Sequence, residues 1–306
     1  MKAFLFASDS KLSFQEIKEL VINTNTSDAA PNMLMFAVPV FFVLIGLEML
    51  LSHIHKKNLY HKKDFLASIG IGLGNVLFTA LLKTSIFFII WIVYYYLSPF
   101  SWPQSGYGYI IQFPICLIIL DFFRYWAHRV SHKNRFWWAT HVTHHSSEKF
   151  NFAITFRLSW VQQLKLVFFL PVALLGFDPI VFFICHQITA IYQFWVHTEI
   201  IGKLPKPIEY IFVTPSHHRV HHGTNEKYID KNFGSTFIVW DRIFGTFQQE
   251  EEKSIYGLTK PIKSFNPIIL VFQEWVDIGK DAWNAKGLKN KYYSVFGYPG
   301  DINVKN

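Results

Sequence analysis

The sequence predicts an all-α, polytopic membrane bundle with a histidine-rich cap on its cytoplasmic side. Three observations carry that prediction. Charged residues make up only 16% of the 306-residue chain, against about 25% in soluble domains. Apolar runs long enough to cross a bilayer recur along the first two thirds. Eleven of the fourteen histidines fall between positions 128 and 222.

Residues 1–32 form an N-terminal segment without a basic start, apolar core and small-residue cleavage site, so no cleaved signal peptide is expected. Residues 33–109 read as membrane-anchoring helices. Met33 to Leu51 spans once, and Phe65 to Leu97 is longer than one span requires, either one long tilted helix or two pieces broken near Lys83. Ser98 to Tyr109, with Pro99, Trp102 and Pro103, reads as a turn. Residues 110–260 hold the histidine boxes. Ile110 to Trp126 returns across the membrane, and Val161 to Leu175 and Ile180 to Trp195 form a further apolar pair joined at Gly176 to Pro179. Residues 261–306 read as a cytoplasmic C-terminal segment, polar and loosely ordered after Lys280.

Orientation follows from the basic residues. Loops 52–64, 124–160 and 198 onward carry Lys and Arg, whereas 98–109 and 176–179 carry none. The positive-inside rule places the first set in the cytoplasm, together with the histidine boxes. The net charge of +8 then belongs to loops facing anionic lipid, and no nucleic-acid partner is implied. Cys116 and Cys185, both in apolar runs, exclude a disulfide framework or a cysteine metal site. Gly70, Gly72 and Gly74 lie inside a span with no strand before them, which predicts close packing and excludes a nucleotide loop.

Four histidine groups matter: His128-x-x-x-His132, His141-x-x-His144-His145, His218-x-x-His221-His222 and His197 at the end of the last apolar run. Offsets of three and four share a helix face, while adjacent pairs diverge enough to reach two ions. So many imidazoles would repel one another if protonated and be costly to bury unpaired, and metal removes both penalties. Eight boxed histidines exceed the needs of one ion, so two are implied. Imidazole suits Zn, Cu, Fe and Ni. A HExxH peptidase is excluded because Arg129 stands where the Glu is needed. Two nitrogen-rich metals beside an apolar cavity suit oxygen activation and attack on an unactivated C–H bond.

His186, Gln193 and His197, at offsets of seven and eleven, share a helical stripe. His197 is expected at the metal, and His186 and Gln193 in the substrate pocket or supporting the ligands. Asp121, Glu148, Glu199, Asp230 and Asp241 could each accept the second ring proton of a ligating histidine or pair instead with Arg124, Arg129, Arg219 or Arg242, and His217, just before the third box, stands equally as a ligand or as a supporting residue. A membrane metal transporter or sensor is the alternative of another class, but transporters place their ligands near the bilayer midplane, whereas these boxes lie outside the spans.

The stretches DFFRYWAHRVSH (121–132), HVTHHSS (141–147), QFWVHTE (193–199), TPSHHRVHHG (214–223) and WDRIFGTF (240–247) resemble the sterol desaturase and fatty acid hydroxylase superfamily of membrane di-iron oxidases. The 193–199 and 214–223 stretches, with Tyr256-Gly257-Leu258-Thr259, are especially similar to its branch that cleaves ether lipids with tetrahydrobiopterin. The resemblance implies two irons on His128, His132, His141, His144, His145, His218, His221 and His222, O2 as oxidant and a lipid substrate. It also implies tetrahydrobiopterin or a separate electron donor, since no cytochrome b5-like or flavin domain is fused. Within the superfamily, hydroxylation or desaturation of fatty acyl or sterol-like lipids is the neighbouring expectation. Some members carry a further HxxxH where this chain has Gln193 and His197.

Overall fold

The computed structural model describes residues 32–299, and positions 13, 15, 16 and 19 before them. The rest of the N-terminal segment, and residues 300–306, lie outside the described residues.

Helix α1 is Met33–Ile54. It buries Phe41, Ile45, Glu48 and Ser52, one face at helical spacing, and exposes Phe36, Val40, Val43, Leu47 and Leu50. Apolar side chains facing outward along a whole helix suit lipid rather than water. Helix α2, Lys62–Ile92, runs unbroken past Lys83 and closes in one π turn, Val93–Leu97. The long run 65–97 is therefore a single helix. Its glycines admit bulky neighbours. A Cβ on Gly74 would run into the Trp160 ring, and one on Gly72 would stand 2.9 Å from Phe156.

Helix α3, Gly106–Lys133, begins just after Pro103 and continues beyond Trp126 to carry His128 and His132 on its last turns. Asn134 ends it in an extended conformation, and the Asn134 side chain accepts from Trp137 N–H to start α4, Arg135–Ala139. Helices α1, α2 (with its π turn) and α3 are each long and apolar enough to cross a membrane.

Helix α5 is the single turn Val142–His145. Two 3-10 segments, Phe152–Phe156 and Gln162–Phe169, lead into α6, Leu170–Leu174. The expected span 161–175 is thus a broken descent along α2 and α3. Helix α7, Pro179–Trp195, starts with Asp178 accepting from Ile180 N–H at 2.8 Å and Pro179 in its first turn. It returns alongside α3. Short helices α8 (Lys206–Ile211), α9 (Pro215–His221) and α10 (Val239–Ile243) build the cap. Helix α11, Pro267–Asn284, and α12, Gly287–Phe296, pack on α4. Arg135 fixes them there, reaching Glu274, Asp281 and the Ser294 carbonyl within 2.9 Å. The tail after Lys280 is therefore docked, and helical apart from the short break at 285–286 as far as Phe296. Apart from one isolated bridge, Phe212 to Phe237, the described residues form no β-structure.

The two turns that lack Lys and Arg meet at one end of the bundle. Ser98 Oγ donates to the Leu174 carbonyl, Trp102 Nε1 to the Leu175 carbonyl, and Asp178 N–H to Gln112 Oε1, all at 3.0 Å. Gly176 adopts a positive φ of 80° there with the Phe100 carbonyl against it, a place where a side chain would clash. The C-terminal ends of α3 and α7 therefore emerge together at the opposite end.

Candidate metal centre

Nine histidines converge at that opposite end. They form two groups, within each of which one ring nitrogen per residue lies within 4.8 Å of all the others. The first group is His128, His132, His141, His145 and His221; the second is His144, His197, His218 and His222. Imidazole–metal bonds of about 2.1 Å put opposite ligands about 4.2 Å apart. Each group is therefore of a size to close around one ion. The adjacent pairs His144–His145 and His221–His222 are divided between the groups, because neighbouring side chains in one helical turn point about 100° apart.

Hydrogen bonds fix the rings. His128 Nδ1 faces the Phe233 carbonyl at 2.8 Å, His197 Nδ1 the Gln193 carbonyl at 2.7 Å, and His221 Nδ1 the Lys231 carbonyl at 3.0 Å. A carbonyl only accepts, so the ring proton sits on Nδ1 and Nε2 is left as a bare lone pair. Those lone pairs point inward: His197 Nε2 meets His218 Nε2 at 2.8 Å and His144 Nε2 at 3.1 Å, and His128 Nε2 meets His141 Nε2 at 2.9 Å. His132 Nε2, His144 Nδ1 and His218 Nδ1 are buried without partners. Nitrogen facing nitrogen at these distances, with several rings barred from donating, is the arrangement a cation satisfies.

The protonation states agree. Burial first, then the charge of neighbouring groups, holds His141, His144, His145, His218, His221 and His222 well below the ordinary imidazole range. Burial pushes His197 down to about 4. All seven are neutral at pH 7, the form that ligates metal. Aromatic walls enclose them. Phe233 lies against His132 with ring centroids at 5.2 Å, Trp138 against His145 at 5.6 Å, and Phe150 against His222 at 5.1 Å. A cleft of about 780 Å3 reaches His132, His145, His221 and His222 from the capped end, and residues 257–259 line it.

The residues expected to support the ligands divide. Asp230 faces His132 at 3.7 Å and accepts from Lys133 and Tyr298. Burial opposes its ionisation, but the hydrogen bonds from His132, Lys133 and Tyr298 hold it well below the usual carboxylate range. Gln193 orients His197 through its carbonyl, while its side-chain amide donates to the Ser235 carbonyl. Asp121 and Asp241 touch no histidine of either group. Asp121 accepts from Thr236 N–H, Phe237 N–H and Trp240 Nε1, and Asp241 from Phe233 N–H, Gly234 N–H and Thr246. Together they shape the loop whose Phe233 carbonyl holds His128. His217 points out of the centre, to Glu209 at 3.0 Å, and caps α9 through Thr214. The Glu199 carbonyl accepts from Lys57, away from both groups. His186, half-buried, lies two turns below Gln193 against Phe169 and Phe182.

Sequence reasoning missed the anchors behind the ligands. Glu48 of α1 is buried and accepts from Tyr60, Thr198 and Phe152 N–H, tying α1 to the residue after His197. Arg157, fully buried, bonds Asp64 of α2 and the Ser146 hydroxyl beside His145. Partners about 100 residues away leave no local signal.

Fold and site together define a class: an integral membrane protein, all-helical, with a histidine-only centre at one end of its spans. Residues 113–246 match the family model for fatty acid hydroxylases. It is 38% identical over 301 residues to alkylglycerol monooxygenase of Homo sapiens, covering 95% of this chain and 64% of the relative. It is 38% identical over 274 residues to alkylglycerol monooxygenase of Xenopus tropicalis, covering 86% and 58%. The Ornithine lipid hydroxylase OlsE of Rhizobium tropici is 29% identical over 158 residues, covering 51% and 46%. The chain thus spans less than two thirds of the length of these relatives. No solved structure matches it.

Proposed function

We propose that this chain is an O2-dependent lipid monooxygenase that hydroxylates the carbon beside the ether oxygen of alkylglycerol-type lipids. The observation that carries the reading is the division of nine histidines into one group of five and one of four, each sized for one ion. The relatives named alkylglycerol monooxygenase favour an ether-lipid substrate. The lower identity to a lipid hydroxylase of another substrate keeps acyl-lipid hydroxylation as the second reading.

His128, His132, His141, His145 and His221 would hold one iron, and His144, His197, His218 and His222 the other. When bound, the pair supplies O2 activation. The protein's own contribution is positional. The carbonyls of Phe233, Gln193 and Lys231 keep three ligand rings in the metal-binding tautomer. Phe150, Trp138 and Phe233 exclude water from the reacting carbon. One oxygen atom of O2 would enter the C–H bond and the other would leave as water, with two electrons from the donor and two protons taken up from the donor or solvent. The resulting hemiacetal opens to a fatty aldehyde and free glycerol.

The lipid would enter from the bilayer side. The donor, tetrahydrobiopterin or an external electron carrier, would approach through the polar cleft. The centre would lie on the cytoplasmic face, the side that the Lys and Arg distribution favours. Transport is disfavoured because the donors lie at the ends of the spanning helices, away from the midplane.

The test is turnover by the purified, iron-loaded chain with hexadecylglycerol, O2 and reduced tetrahydrobiopterin. Release of hexadecanal is expected. Failure to release aldehyde with that donor or with an electron-transfer system, alongside hydroxylation of an acyl lipid, would move the assignment to the second reading.

A further inference from the structure

Helices α11 and α12 form a hairpin with an uncovered outer face, fixed in the fold at two points. At its start, Pro267 seats against Gly70 of α2, where a Cβ would stand 3.0 Å from the proline ring, and Leu270 and Val271 pack on Ala67 and Ile71 of the same helix. At its end, the Gly297, Phe296 and Ser294 carbonyls accept from Arg135 N–H, Asn134 Nδ2 and Arg135 Nη1, each at 2.9 Å. Asn134 and Arg135 directly follow α3, and both α2 and α3 are long and apolar enough to cross a bilayer. The hairpin therefore lies beside the start of one spanning helix and the end of another, at the level where hydrocarbon gives way to headgroups.

What it presents there is apolar and basic. Trp283 is 86% exposed and Leu288 87%. Tyr292, one turn beyond Leu288, is exposed on the same face of α12, opposite the buried Ser294. Lys286, Lys289 and Lys291 stand among them, all exposed and, among the described residues, in no ion pair. No Asp or Glu occurs between residues 282 and 299. An exposed apolar patch rimmed by charge marks an interaction surface. A second copy of the chain suits it poorly, because a twofold contact would set three lysines against three. Tryptophan, tyrosine and leucine beside lysine are the composition of a helix lying in a bilayer interface, with its apolar groups among the acyl chains and its ammonium groups at anionic headgroups.

We propose that the α11–α12 hairpin docks on anionic phospholipid: Trp283, Leu288 and Tyr292 enter the bilayer interface, and Lys286, Lys289 and Lys291 gather negatively charged headgroups around them. The inference holds whatever lipid the histidine centre oxidises. Its consequence reaches that centre, because the hairpin also walls the cleft leading to the histidines, through Gln273, Glu274, Asp277 and Lys280. Docking sets the mouth of the cleft at the headgroup layer.

Fluorescence quenching tests this. The full-length chain, labelled at Leu288→Cys, would be reconstituted in vesicles of equal phosphatidylcholine and phosphatidylserine, with bromine on the acyl chains of one lipid or the other. The two native cysteines are buried. A label at Val43→Cys, on the exposed side of α1, serves as the control for insertion in every variant. Brominated phosphatidylserine should quench the label at 288 about fivefold more than brominated phosphatidylcholine, the gain expected from a single lysine held at an anionic surface. The label at 43 should be quenched equally by both. Changing Lys286, Lys289 and Lys291 together to Gln should bring the ratio at 288 to about one, and changing them together to Arg should keep it. A label at 288 that neither lipid quenches would overturn the inference, whether that face proves bare or covered by protein. So would equal quenching by the two lipids with all three lysines present, or a phosphatidylserine preference that survives the three glutamines.

Discussion

Replacing Arg157 with Met should unseat half of the metal centre from a distance. Arg157 is 1% exposed. Its Nη1 donates to Asp64 Oδ1 at 2.8 Å, its Nη2 to Ser146 Oγ at 2.6 Å and its Nε to the Thr143 carbonyl at 3.3 Å. Asp64 also accepts from Ser147 Oγ at 2.6 Å. The pair thus ties the start of α2 to the turn that carries His141, His144 and His145. Removing one partner of a buried ion pair costs about 3–5 kcal/mol, because the other is left charged and unpaired. For a chain of this size, about 3 kcal/mol lowers the unfolding midpoint by about 5 °C. Asp64→Asn should cost less, since an amide still accepts from Arg157, and the double variant should be less destabilised than the sum of the two by at least about 1 kcal/mol. Thermal unfolding in detergent and metal content would be measured for all three. A single Arg157→Met variant with wild-type stability and full metal content, or strict additivity in the double variant, would refute the reasoning.

His144→Ala and His145→Ala should differ in bound metal. The first leaves three donors in its group and the second leaves four, so elemental analysis should find the greater loss for His144→Ala; equal loss would mean the two groups are not separate sites. Cysteines at Lys62 and Lys227 should resist a membrane-impermeant reagent in intact cells while one at Ser105 reacts, and the reverse pattern would invert the orientation. Glu209 provides a pH test. Burial opposes its ionisation, but hydrogen bonds from His217, Leu204 N–H and Thr214 hold it down at about 2, below the unfolded value of 4.5. A depressed carboxylate stabilises the fold above its unfolded value, so that support should fade as pH falls from about 4.5 towards 2, by about 2 kcal/mol after allowing for partial exposure. Unfolding midpoints of wild type and Glu209→Gln should therefore converge across that window, and a constant gap would discount the contact.

Much of the centre was legible because metal ligation leaves a local signature. His128 and His132 are four apart on one helix, and the two HxxHH runs repeat one spacing, so eight donors could be read without any tertiary knowledge. The pairing of those donors could not. His221 joins His128 because the loop after α9 turns back to place Lys231 and Phe233 beside them, and that loop is set by Asp121 and Asp241 from α3 and α10. The spacing put His218 in the box but left the role of His217 open, and the cap contact with Glu209 draws His217 out of the site. The broken course of residues 161–175 likewise followed from tertiary packing, with Trp160 and Phe156 seated over α2 at positions where only glycine leaves room.

The common thread is that the spans supply position and the loops supply chemistry. Helices α3 and α7 run side by side and end together, which brings His128, His132 and His197 to one level. Everything else in the centre comes from short turns whose own backbone could not hold a geometry: α5 is four residues long and α9 seven. Their rigidity is borrowed. Arg157 and Asp64 fix the first turn to α2; Thr143 Oγ adds a bond to the Leu270 carbonyl of α11. Glu48 fixes the segment after α7 to α1. Each of these anchors is a buried polar group inside an otherwise apolar bundle, where an unsatisfied partner is costly. The centre and the bundle are therefore one cooperative unit. Loss of an anchor and loss of a ligand should both appear as loss of metal, and only the anchor variants should lose stability when no metal is present.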